Sequence, residues 1–159
     1  MSYLPPPPFL IYVMWHPGCR EAAQIAERIR SHFGTHRFRN VAGGAGIDVA
    51  FQGTLGSGAP MSLPVNWQIG CPIAVVVMID RSLAGDAEWV EHLHDLGQRA
   101  STEGFRARLL PVVMESGVLD GLEIDEQALR WDQWDSANEA REQRLIRELA
   151  YEFARMLRH

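Results

Sequence analysis

The chain has 159 residues, 47% of them hydrophobic, which suits one domain with a substantial core and excludes a disordered tail or a disulfide-stapled mini-protein. Acidic residues outnumber basic ones by 20 to 15, a formal net charge of −5, so no global positive field exists to hold a nucleic-acid backbone. Every basic residue is Arg, and the complete absence of Lys excludes Schiff-base chemistry, a Lys general base and the P-loop lysine; a G+C-rich coding sequence, rather than function, is the favoured cause of that absence.

Residues 1–8 end in the run Pro5 to Pro8, which imposes extended polyproline geometry and reads as a lead-in to a domain over 9–159. Phe9 to Met14 is almost wholly apolar, the pattern of a strand covered on both faces in a parallel sheet. After the turn-like His16-Pro17-Gly18, Ala22, Ile25, Ala26, Ile29 and Phe33 recur at helical spacing within Glu21 to Phe33. A glycine-rich bend (Gly43, Gly44, Gly46) leads to a short second strand through Ile47, Val49 and Phe51. Gly53 to Pro64 then reads as the least regular loop of the chain. Pro72 to Ile79 carries the strongest strand pattern. Asp80, Ser82 and Asp86 offer caps for a helix from about Ala87 to Ala100, with Trp89, Leu93, Leu96 and Ala100 on its buried stripe. Arg108 to Met114 is a fourth strand in which Pro111 indicates an edge or a bulge. Glu115 to Asp135 holds seven acids and one Arg in mostly irregular sequence, with room for a short fifth strand near Ala128 to Trp131. An amphipathic helix runs from about Ala137 to Leu157.

Strands alternating with helices give an α/β domain with a parallel sheet. With the strand order 2-1-3-4-5, the segments after Met14 and after Ile79 stand side by side at the carboxyl ends of the sheet, where such folds place their sites. The two cysteines, Cys19 and Cys71, are too few for a disulfide framework and follow no charged-then-apolar leader, so the expected setting is cytoplasmic and reducing. The longest apolar stretch, Ile73 to Ile79, is too short to cross a bilayer. Neither a nucleic acid nor a membrane is therefore an expected partner.

Among chemical candidates, Trp15, His16 and Arg20 sit at the mouth of the first strand, where an indole face suits a nicotinamide or adenine ring and a guanidinium suits a phosphate. The same residues also suit the closed end of a core with an Arg in solvent. Glu88, His92 and Asp95 stand at i, i+4 and i+7 and make one polar stripe on the flank of Trp89, while Glu91 is rotated by about 200° from Trp89. A mutually paired, solvated helix face has the same spacing. Gly43-Gly44-Ala45-Gly46 precedes a strand, and Gly53 to Gly58 lacks the lysine of a phosphate loop, so neither is a nucleotide fingerprint. No metal site is expected. His92 and His94 point to different faces, His16 and Cys19 lack further nearby ligands, and His32 and His36 have no evident carboxylate. Trp67, within Pro64 to Ile69, suits either a shortened helix or a partner contact.

The first strand and helix (PFLIYVMWHPG, then REAAQIAERIRSHF), GIDVAF, VVVMIDRSLAGDAEWVEHL and RLLPVVM together resemble the TIR-like (Toll/interleukin-1 receptor) superfamily of bacterial conflict and signalling proteins. The most specific element is the strand ending in Asp80-Arg81-Ser82 and leading to Trp89, similar to the family's strand, Ser, then Trp at a helix start. The resemblance spans roughly residues 9–157 and rests on hydrophobic pattern more than on sharp signatures. It implies a flavodoxin-like three-layer sandwich of about five parallel strands with helices on both faces. For function it implies a signalling or defence module that works by homotypic assembly or partner recruitment, here as part of a larger protein. It equally implies an NAD-cleaving alternative with no resident cofactor, NAD being the substrate, and a further alternative is a nucleotide sensor without turnover. In the family's enzymes a catalytic Glu usually stands four residues after the Trp, and here that position is Leu93. Under the catalytic alternative Glu88, oriented by His92, replaces the acid, with Trp15, His16, Arg20 and Trp89 around the cofactor-sized ligand. The carboxyl group would then stabilise positive charge developing on the ribose.

Overall fold

The computed structural model describes residues 8–34, 38–39, 46–61, 72–103, 107–122, 124, 127–137 and 139–158. Its elements are β1 (Phe9–Trp15), α1 (Arg20–Phe33), β2 (Ile47–Phe51), β3 (Ile73–Ile79), α2 (Arg81–Ala84), α3 (Ala87–Glu103), β4 (Ala107–Val113), a 3-10 turn (Trp131–Gln133) and α4 (Arg141–Leu157). The four strands form one all-parallel sheet in the order β2-β1-β3-β4, an order compatible with a flavodoxin-like layout. Crossovers of one hand leave β1 and β3 in opposite directions along the sheet, so their helices must cover opposite faces. Accordingly α1 and α4 pack with Phe9, Ile11, Val13, Val76 and Met78 on one face, and α2 and α3 with Leu10, Tyr12, Val75, Val77 and Ile79 on the other. β3 is buried along its whole length, as its unbroken apolar run requires. On the α1/α4 face the rings of Phe9, Phe33 and Phe153 meet edge-on at centroid distances of 5.0–5.5 Å, locking β1, α1 and α4 together.

Several sequence expectations are corrected. Among the described residues the fifth strand shrinks to a single parallel bridge between Leu129 and Val112. Leu129 N–H donates to the Pro111 carbonyl and Val113 N–H to the Leu129 carbonyl. The next rung toward the amino end would need an N–H from Pro111, which has none, and the chain bends into the 3-10 turn at Trp131 on the other side. Pro111 thus sits with its missing donor on the outer edge, and the pairing of β4 with β3 is untouched. The last helix begins at Arg141 rather than Ala137. Asp135 takes the Ala137 N–H at 2.9 Å in a local turn, and Glu139, still outside the helix, binds Arg147 at 2.9 Å. Asp80 does not cap the long helix but the separate one-turn α2, accepting from Leu83 N–H at 3.0 Å, while Asp86 caps α3 through Glu88 N–H at 3.2 Å. No described helix is long and apolar enough to cross a membrane. The lead-in to Pro7, the bend from Val41 to Ala45, and Pro64, Trp67 and Cys71 lie outside the described residues.

Candidate functional site

Neighbouring strands β1 and β3 feed crossovers in opposite directions, so the loops at their carboxyl ends flank the switch point of the sheet. A small polar cluster fills that junction. Gly18 N–H donates to His16 Nδ1 at 2.9 Å, which puts the ring proton on Nε2, and Nε2 lies 2.9 Å from Asp86 Oδ2. This hydrogen bond from His16, more than any other contact, holds the Asp86 carboxyl below its usual range. A Cβ on Gly18 would come within 2.8 Å of Ser82 Oγ and 3.1 Å of His16 Nδ1, so only glycine lets the β1 loop pack this close to the β3 loop. Cys19 lies beneath it, next to the Asp80 carboxylate. Burial pushes its thiol up to about 11, and Asp80, which accepts its hydrogen bond, adds to the rise. Such a thiol is protonated and inert at neutral pH.

The segment after β2 is more ordered than its glycines suggest. Leu55 N–H donates to the Ala59 carbonyl, Gly58 N–H to Leu55, and Met61 N–H to Gly53, closing a hairpin with an antiparallel bridge between Thr54 and Pro60. Gly58 has φ near +87°, a value that glycine adopts without strain. Gln52 anchors the hairpin from below. Its side-chain amide donates to the carbonyls of Gly53 and Met61 at 2.8 Å each, and its Oε1 accepts from the buried Tyr12 hydroxyl at 3.0 Å. From the other side Trp89 Nε1–H donates to the Gly58 carbonyl at 3.0 Å. The hairpin is therefore held to both the sheet and α3.

Where the hairpin crosses α3 it leaves an open groove of about 290 Å³. Leu55, Ala59 and Pro60 form one wall, and Glu88, Glu91, His92 and Asp95 form the other. His92 Nε2 is buried without a hydrogen-bond partner. Burial lowers the pKa of this imidazole, the nearby Arg99 lowers it further, and Asp95 opposes both. Three carboxylates beside a neutral imidazole and an apolar wall favour a cationic occupant over an anionic one.

The six residues singled out in the sequence are thus divided. Glu88 and His92 share the groove, with Asp95 as their spacing implies. Glu91 shares it too, because three residues from Glu88 is a rotation of about 300°, only 60° short of a full turn. No hydrogen bond from His92 Nε2 reaches Glu88. His16 and Trp89 are brought together at a ring distance of 5.4 Å, but Trp89 is completely buried and presents no free face to a ligand ring. Trp15 packs edge-on against Phe51 at 5.1 Å on the opposite face of the sheet, and Arg20 is an exposed residue opening α1. Leu93 is 3% exposed, inside the core between α3 and the sheet. Sequence reading missed the His16–Asp86 and Tyr12–Gln52 contacts, whose partners lie 70 and 40 residues apart. The one available signal was polar Gln52 directly after the apolar alternation of β2. Among the described residues no group of three or more His, Cys, Asp or Glu is arranged to hold a metal ion. Compared with protein-family models, curated proteins and solved structures, the chain has no match.

Proposed function

We propose that the chain is a TIR-like signalling or defence module that acts by associating with further copies or partner domains, and that it does not cleave NAD. The groove beside Trp89 carries this reading. At about 290 Å³ it is the size of one or two side chains, and three carboxylates line it. A dinucleotide is larger and brings two phosphate charges that those carboxylates would repel. The position that supplies the acid in the resembling enzymes is an apolar core residue, Leu93, and cannot move a proton. The hairpin next to the groove, in contrast, presents Leu55 and Met61 at 52% and 45% exposure, apolar surface of the kind that marks a protein contact.

The test is to incubate the purified chain with NAD at high concentration and crowded on beads, and to follow free nicotinamide. No release above a protein-free control is expected. Sustained release that disappears in Glu88→Ala would overturn the proposal in favour of a displaced catalytic acid.

A further inference from the structure

Among the described residues, four large hydrophobic side chains are exposed: Leu55 and Met61 on the hairpin, and Tyr151 and Leu157 on α4. The two pairs lie in surroundings of opposite charge. Leu55 forms a wall of the groove that Glu88, Glu91 and Asp95 complete. On α4, Arg147, Tyr151, Arg155 and Arg158 stand at i, i+4, i+8 and i+11 and so share one exposed face, with Tyr151 70% exposed at its centre. Glu139 and Glu148 offset Arg147, whereas the Glu152 carboxylate 3.4 Å from Arg155 also lies 3.1 Å from Arg108 and is shared between them, so the positive end of the stripe is at Arg155 and Arg158. Tyrosine and arginine are also the side chains that most often anchor protein contacts, the one by its large amphipathic ring and the other by its fork of donors.

We infer that the groove between the hairpin and α3 receives the Tyr151–Arg158 end of α4 from a second copy of this chain. This inference rests on the assembly reading above and names the two surfaces that meet. Charge complementarity selects the occupant. The groove is acidic with one apolar wall, and the carboxyl end of α4 is basic with an exposed ring and Leu157. The groove's volume suits one aromatic or guanidinium side chain. Because α3 and α4 cover opposite faces of the sheet, one pair of molecules cannot make both contacts at once. The association is head-to-tail, and each added copy leaves one groove and one stripe free for the next.

Sedimentation velocity over a concentration series tests it, with circular dichroism melts confirming that each exposed substitution leaves the fold intact. Reversing the groove (Glu88→Arg with Glu91→Arg) or the stripe (Arg155→Glu with Arg158→Glu) is expected to weaken self-association at least about tenfold, and Tyr151→Ala to weaken it as well. Mixing the two reversed proteins is expected to restore association, as chains in which the two alternate, and combining all four substitutions in one chain is expected to restore it as well, because in both cases every contact regains opposite charges. Added salt is expected to weaken the wild-type chain and the fourfold variant alike. Undiminished association in both reversed proteins overturns this inference while leaving assembly standing. A wild-type chain that stays monomeric throughout overturns both.

Discussion

Leu93→Glu places an acid where the resembling enzymes carry theirs, and its expected consequence is structural. Leu93 is 3% exposed and packs with Trp89, Leu96, Ala100 and the residues of β3 and β4 that face α3. Removing its apolar burial costs about 1.5–3 kcal/mol. The incoming carboxyl enters a mostly aliphatic cluster in which the Tyr12 hydroxyl and the Trp89 N–H already donate elsewhere, which costs about 1–3 kcal/mol even in its neutral form and more if ionised. Together these amount to about 2.5–6 kcal/mol against a typical total stability of about 5–15 kcal/mol. Urea unfolding should therefore show a large fall in midpoint for Leu93→Glu, a fall of about 2–5 kcal/mol for Leu93→Ala and less than about 1.5 kcal/mol for Leu93→Met. Nicotinamide release should not appear in any of them. A Leu93→Glu protein as stable as the wild type, or one that gains NAD cleavage, would refute the placement of this residue in the core.

Gly18→Ala should cost about 1–3 kcal/mol, because its Cβ meets Ser82 Oγ at 2.8 Å and Ser82 Cβ at 3.1 Å. Ser82→Gly in the same chain should recover part of that loss, and thermal melts of the single and double variants check it. Tyr12→Phe and Gln52→Leu should each lower stability by about 1–3 kcal/mol by stranding the other's buried polar atom, whereas the double variant should lose less than their sum. A double-mutant cycle measures that coupling. Burial lowers the pKa of His92 in the folded chain, so the unfolded chain binds more protons as pH falls below the ordinary value of 6.5. The stability difference between wild type and His92→Gln should therefore shift against the wild type on acidification from pH 7. Asp86, whose pKa is lowered chiefly by its hydrogen bond from His16, loses its contribution only at far lower pH and does not obscure that window. Unfolding midpoints at several pH values would show it, and parallel curves for the two proteins would contradict it.

The four strands and the two covered faces of the sheet were legible because they depend on runs of apolar residues that a covered parallel strand cannot avoid, as in Ile73 to Ile79. Pro111 also announced the edge correctly, although the same missing N–H stops Leu129 from extending into a fifth strand, a consequence visible only once the rung direction is known. The groove was half legible. Helical spacing joins Glu88, His92 and Asp95, but measuring Glu91 from Trp89 placed it on the wrong side, since the groove's far wall comes from a hairpin about thirty residues earlier. That hairpin read as an irregular loop because its order comes from Gln52, Tyr12 and Trp89, three side chains outside it whose hydrogen bonds no local pattern encodes.

The central claim is that this chain associates with itself, and the weight-average molar mass of the untagged protein, measured from low micromolar to near-millimolar concentration, tests it most directly. The mass is expected to climb above the 17.9 kDa monomer without settling at a dimer, and to climb less in high salt. A value of 17.9 kDa at every concentration and salt would contradict it.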